Sequence, residues 1–198
     1  MPAGIRPDVH DGSSWVGLIG FFLDRATIAG SPPIPFFGAF AEINVRLYGV
    51  DQRGRRGVVF LSLEASRLAA VLAARAAFSI PYFWSRTSIE VSGDELTYRS
   101  HRHVGTGETT MVVRRTKEPV LGDATADFLT ARWALFTTRF GRTVRLPNAH
   151  EPWRLCRGEL VSLSDSLVAR AGIPGVTERM PDSVLYAETV TTWFGSPD

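Results

Sequence analysis

The sequence predicts an α+β fold: mostly one antiparallel, strongly curved or closed β-sheet, with one main helix and two short ones. Three observations predict it. Roughly nine segments carry the two-residue alternation or the β-branched and aromatic richness of strands. Only residues 65–78 have an alanine- and leucine-rich run long enough for a substantial helix. No repeat of solenoid period and no low-complexity tract interrupts the series. The 198 residues, 44% hydrophobic and 21% charged, fit a single domain over 1–198 with its own core.

Residues 15–28 read as the first long strand, with Gly17 and Gly20 allowing a bend or bulge. Ser31-Pro-Pro-Ile-Pro-Phe-Phe-Gly38 reads as a proline-fixed loop. Residues 40–48 alternate cleanly, with Ala41, Ile43, Val45 and Leu47 on one face and Glu42, Asn44, Arg46 and Tyr48 on the other. Residues 51–57 form a polar turn and 58–63 a second strand, which completes a hairpin. Within 65–78, Leu68, Val71, Leu72 and Arg75 fall on one helical face, so an arginine sits on the apolar stripe. Ile80-Pro81 ends the helix.

Strands follow at 87–91, 96–102 and 109–116. Residues 124–132 form a short helix that Asp123 or Thr125 can cap. Gly141-Arg142 marks a tight hairpin between 135–140 and 143–146. Residues 148–153 read as a polar loop, 153–163 as a strand, 165–171 as a short helix closed by Gly172, and 184–194 as the final strand.

Charge excludes more than it assigns. Twenty-two basic residues face 20 acidic ones, and no block of five like charges occurs, so nothing marks a nucleic-acid partner. No apolar run approaches the length of a membrane span, and the first residues carry no apolar signal region, so a cytoplasmic location is expected. Cys156 is the only cysteine, which excludes an internal disulfide and a cysteine-ligated zinc. Lys117 is the only lysine, in an expected loop, so imine chemistry would need it or an N-terminal amine.

The face carrying Glu42, Asn44 and Arg46 is the sharpest chemical feature. A carboxylate, an amide and a guanidinium point the same way from one strand, and Phe40 and Tyr48 share their parity. If that face lines a cavity, it can orient a carboxylate- or carbonyl-bearing ligand. A desolvated Glu42 would have a raised pKa and serve as general acid or base. His101 and His103, two apart on a strand, have metal-ligand spacing, with His150 or Glu151 as a third donor. Arg102 beside them and Gly105-Thr-Gly107 just after point instead to an ordinary solvated strand end. No nucleophile elbow and no glycine-rich phosphate loop is present, so no cofactor is expected.

Five ordered motifs add a resemblance. They are Phe37-Gly-Ala-Phe-Ala-Glu-Ile-Asn-Val-Arg-Leu-Tyr48, Gly57-Val-Val-Phe-Leu-Ser-Leu63, Ala74-Arg-Ala-Ala-Phe-Ser-Ile-Pro-Tyr-Phe83, Phe128-Leu-Thr-Ala-Arg-Trp-Ala-Leu-Phe136 and His150-Glu-Pro-Trp-Arg-Leu155. Together they resemble the YqjF-like family of uncharacterized bacterial proteins, related to the acetoacetate decarboxylase-like superfamily. The resemblance implies a curved antiparallel sheet closing on a mostly apolar cone, with helices outside. In the decarboxylases, a lysine after the proline that follows the helix forms a Schiff base with a keto acid. Here that place holds Tyr82 and Phe83, so the resemblance implies a member without the imine nucleophile. Glu42 and Arg75 resemble the superfamily's acid and arginine. Family members usually carry a further segment before Pro2-Ala-Gly-Ile-Arg6; its absence would leave a sheet edge open to a second copy of the chain.

The first expectation is therefore a domain binding a small organic ligand in a cavity lined by Glu42, Asn44, Arg46, Arg75, Tyr82 and Trp84. Glu42 would be the catalytic acid or base and Arg46 the group that orients an anion, with no metal. The alternatives are a non-enzymatic structural or protein-interaction domain, and a metal-dependent hydrolase using His101, His103 and His150.

Overall fold

A computed structural model describes residues 1–23, 39–188 and 192–194. The expected proline-fixed loop at 31–38 and the end of the first long strand, 24–28, lie outside the described residues. In chain order the strands are β1 (Arg6–Pro7), β2 (Val9–His10), β3 (Ser13–Ser14), β4 (Val16–Leu23), β5 (Phe40–Val50), β6 (Arg56–Ala65), β7 (Tyr82–Ser92), β8 (Glu95–Arg102), β9 (Glu108–Pro119), β10 (Ala134–Arg139), β11 (Arg142–His150), β12 (Leu155–Asp165), β13 (Leu185–Ala187) and β14 (Thr192–Phe194). The helices are α1 (Leu68–Phe78), α2 (Ala124–Thr130) and α3 (Leu167–Arg170).

The large sheet runs β13-β12-β9-β8-β7-β6-β10-β11-β14, with β5 on β6 and with β4 and β1 on β5. It curls into a half-barrel. Most pairs are antiparallel, as the sequence predicts, because they come from sequential hairpins. Two are parallel. β6 meets β10 at Val58 and β7 from Leu63 to Ala65, so the sheet forks along one edge of β6.

β5 is buried on both faces. Ile43 and Val45 pack with Leu96, Tyr98, Val113, Leu167 and Val168. On the opposite face Phe40 joins Ala65 and Val71 at one end, and Tyr48 joins Val58, Phe128, Leu135 and Leu146 at the other. Glu42, Asn44 and Arg46 stand between these two apolar clusters. The β5–β6 register slips between Val45 and Arg46, an irregularity that sets Arg46 opposite Phe60. Gly17 on β4 lies beside Arg46, and a Cβ there would fall 2.9 Å from the Tyr48 hydroxyl. Its missing side chain makes room for both groups.

The structure corrects several boundaries. α1 begins at Leu68, since Ala65 still belongs to β6, where it pairs with Glu42 and Trp84. β11 continues through His150, so much of the expected polar loop is strand. Lys117 lies exposed within β9 instead of a loop. The expected final strand is two, with β13 on β12 and β14 on β11.

Two hairpins turn on two residues with positive φ, Asp11-Gly12 and Phe140-Gly141. The sequence pointed to Gly141-Arg142 for the second. Such a turn favours asparagine at its first position, and Phe140 is 89% exposed, so its ring gains little from burial. Phe140→Asn should therefore stabilise the fold by about 0.5–1 kcal/mol, read as a higher midpoint in urea unfolding.

The amino-terminal segment is tied to the sheet by charge. Asp8 Oδ2 accepts from Arg56 Nε and Arg132 Nη1, each at 2.6 Å. Burial pushes the Asp8 carboxyl up, but the two guanidiniums outweigh it and leave the pKa lowered.

Candidate functional site

The polar face of β5 builds the candidate site as a chain of hydrogen bonds. Glu42 is 2% exposed. The Tyr82 hydroxyl at the start of β7 donates to Glu42 Oε2 at 2.7 Å, and Asn44 Nδ2 donates to Oε1 at 3.3 Å. Arg46 Nε donates in turn to Asn44 Oδ1 at 2.9 Å. Residues at i, i+2 and i+4 of one strand supply three of the four members, because the strand period sets them side by side. Parallel pairing of β6 with β7 brings the fourth.

Burial dominates the electrostatics. It raises the Glu42 carboxyl to about 7, against the hydrogen bonds of Tyr82 and Asn44 and the Arg46 charge, which hold it down. Burial and then the neighbouring Glu42 raise the Tyr82 phenol further from ionisation. Burial lowers the Arg46 guanidinium, with Tyr48 and Glu42 opposing. A carboxyl near neutral can both accept and give a proton at physiological pH. The Arg46 guanidinium lies 5.3 Å from the Phe60 ring centroid. Its Nε is committed to Asn44, whereas its Nη nitrogens have no hydrogen-bond partner among the described residues.

The other expected site residues stand apart from this chain. Arg75 is exposed on α1 and donates to the Tyr82 backbone carbonyl at 3.4 Å; it does not meet Glu42. Trp84 is 38% exposed and lies tilted against His103, with ring centroids 4.1 Å apart. His101 faces Glu108, and His150 lies between Trp133 and Trp153. Among the described residues no three His, Cys, Asp or Glu side chains form a metal-ligand set, so the metal-hydrolase alternative has no donor cluster behind it.

A second buried carboxylate escaped sequence reasoning. Glu64 faces the opposite side of the sheet, since its neighbour Ala65 pairs with Glu42. It is fully buried and accepts from Arg102 Nη2 at 2.7 Å, Arg102 Nε at 3.1 Å and Ser85 Oγ at 2.6 Å. The Arg102 guanidinium lies 3.6 Å from the Phe83 centroid. Tyr82 and Phe83 thus serve the two carboxylates on opposite faces: Tyr82 by its hydroxyl on Glu42, Phe83 by its ring under the partner of Glu64. The signal available was a glutamate closing an apolar run two residues after Ser62.

Two concavities among those of the described residues lie near the polar face and the chain's later strands. One, of about 250 Å³, is lined by Phe60, Ser79, Ile80, Pro81 and Phe136 among others. The other, of about 500 Å³, is lined by residues 119–121 and 151–155. Glu42 lines neither; the smaller one shares Phe60 with Arg46.

Comparison with known proteins decides the kinship. The model of a family of uncharacterized conserved proteins, DUF2071, matches residues 1–191. The chain belongs to that family. It is 31% identical over 192 residues to the uncharacterized protein YqjF of Bacillus subtilis (strain 168), covering 94% of this chain and 76% of that protein. The fold of this DUF2071 member is that of the acetoacetate decarboxylases. An acetoacetate decarboxylase from Legionella pneumophila matches with a TM-score of 0.62 at 12% identity, over 98% of this chain and 72% of its own. An acetoacetate decarboxylase-like enzyme from Sphingomonas wittichii RW1 matches with a TM-score of 0.59 at 13% identity, over 100% and 82%. No helix among the described residues is long and apolar enough to cross a membrane.

Proposed function

We propose that this DUF2071 member binds a small organic acid or keto acid at Arg46, with Glu42 as the neighbouring general acid or base. One observation carries the proposal. Arg46 is oriented through an unbroken series of hydrogen bonds, Tyr82 to Glu42, Asn44 to Glu42 and Arg46 to Asn44, while its Nη pair is left for a ligand. A guanidinium held at Nε presents two parallel donors to a carboxylate without losing much side-chain entropy on binding. The solved decarboxylases of the same fold act on a keto acid by name, which supports the ligand class. The family resemblance implies a lysine after the proline where this chain has Tyr82, which supports turnover by proton transfer through Glu42 and Tyr82 in place of an imine.

Acetoacetate and pyruvate are the first probes. Either should raise the melting temperature of the wild type by several degrees at saturating concentration, since a ligand that binds only the folded state stabilises it. Arg46→Ala should abolish that rise while the unliganded protein stays folded by circular dichroism. Borohydride added with acetoacetate should leave Lys117 unlabelled. No rise with either acid, together with unfolding of Glu42→Ala, would assign the polar chain to fold specification instead.

A further inference from the structure

The polar face of β5 carries its charges in isolation. On that face β4 sets Gly17, Ile19 and Phe21 beside Arg46, Asn44 and Glu42, and β6 sets Phe60, Leu63 and Ala65 on their other side. None of these six titrates. β7 brings Tyr82, whose hydroxyl is on Glu42, and the next residue of the same face along β5 is Tyr48. Burial holds both phenols neutral. Arg75 on α1 reaches only the Tyr82 backbone carbonyl. Beyond Tyr48, Arg132, Arg56 and His10 gather around Phe128, with Asp8 bridging the two arginines. Among the described residues, the local charge balance therefore rests on the Glu42 carboxyl and the Arg46 guanidinium, joined through Asn44.

A ligand carboxylate on Arg46 changes that balance. With Glu42 ionised, the one charge of the guanidinium is already matched, and a second carboxylate leaves the site net negative. Glu42 and Asn44 are buried, so water screens the repulsion poorly. With Glu42 neutral, the ligand and Arg46 form a single matched pair. The Glu42 carboxyl titrates at about 7, so solvent can supply its proton at physiological pH. Linkage makes the effect reciprocal. A proton on Glu42 tightens the ligand by the same factor by which the ligand tightens the proton.

We propose that a 2-oxo acid anion enters this site together with one proton, which Glu42 takes up, so that binding itself loads the general acid. The inference rests on the Arg46 assignment above and adds what the site must take up with the anion. Above about pH 7 the affinity should weaken about tenfold for each pH unit, the limit for one linked proton. Below that pH it should level, because Glu42 already holds its proton.

The test is a calorimetric titration of the full chain with pyruvate, ionised throughout, from pH 5.5 to 8.5 at fixed ionic strength. At pH 8 it is repeated in Tris and in HEPES. Their ionisation enthalpies differ, so the difference in heat counts the protons exchanged. The expected result is an uptake approaching one proton per pyruvate at pH 8, none at pH 5.5, and a Kd that rises with pH as above. Glu42→Gln should bind with no uptake and a Kd that no longer varies with pH, and Arg46→Ala should not bind. Glu42→Gln keeps His10 and Asp8, so uptake by those groups would persist in it. Arg46-dependent binding with a flat pH profile, or an uptake that survives in Glu42→Gln, would overturn the linkage and leave the head-group assignment standing. No Arg46-dependent binding at any pH would remove both.

Discussion

Arg102→Ala should lower stability by about 3–5 kcal/mol, measured by urea unfolding with circular dichroism and fluorescence as coincident probes. The loss comes less from the contact itself than from what it leaves behind. Glu64 has no solvent exposure, and Arg102 supplies its paired N–H donors. Without them a carboxylate sits in the interior with only Ser85 to satisfy it. The guanidinium also covers the Phe83 ring and fills the space that Gly107 leaves open, where a Cβ would come within 3.0 Å of it. Arg102→Lys should recover little, because an ammonium cannot reproduce the bidentate fork or the stacked plane. Replacing both partners together, Glu64→Leu with Arg102→Leu, should cost much less than Arg102→Ala, since no charge is then stranded.

Glu42→Gln should act in the opposite direction and depend on pH. The folded-state pKa of Glu42 is raised to about 7 from its ordinary 4.5. The folded state therefore holds its proton more tightly than the unfolded chain. The stability this gives is complete below about 4.5 and lost as pH rises through about 7. Above that range the buried charge costs on the order of 3 kcal/mol, from the size of the shift. The substituted amide would keep an acceptor for Tyr82 and carry no charge. The variant should match the wild type at pH 5 and exceed its stability at pH 8. Identical pH profiles for the two proteins would mean that Glu42 ionises in the fold as freely as in water. A gain in stability on removing this carboxylate would mark it as held for a purpose other than folding.

How much of this was legible depends on how each residue's surroundings are set. The alternation of β5 located Glu42, Asn44 and Arg46 on one face, because a central strand with an apolar set on one side obeys a strict period of two. The half-barrel and its resemblance to decarboxylases followed from the ordered motifs. α1 was less readable. Its stripe of Leu68, Val71, Leu72 and Arg75 has helical spacing, yet only Val71 is buried and Leu72 is 58% exposed. An alanine-rich helix can rest on a sheet through a narrow strip, and its large side chains then do not define the buried face. Glu64 was hidden for another reason. β6 reads as a continuous apolar run, and the register slip near Phe60 removes the phase that would have shown Ser62 and Glu64 pointing away from Leu63 and Ala65. Its partner Arg102 arrives from two strands further along the sheet, and a sequence does not display that pairing.

The bridge from Asp8 to Arg56 and Arg132 spans sequence separations of 48 and 124 residues. Such a link cannot form until the distant segments have already come together, because closing long loops is entropically costly before their contacts exist. The tether therefore belongs to the late side of the folding barrier. Its strength is expressed mainly in how slowly the finished molecule opens, with little influence on how quickly it assembles.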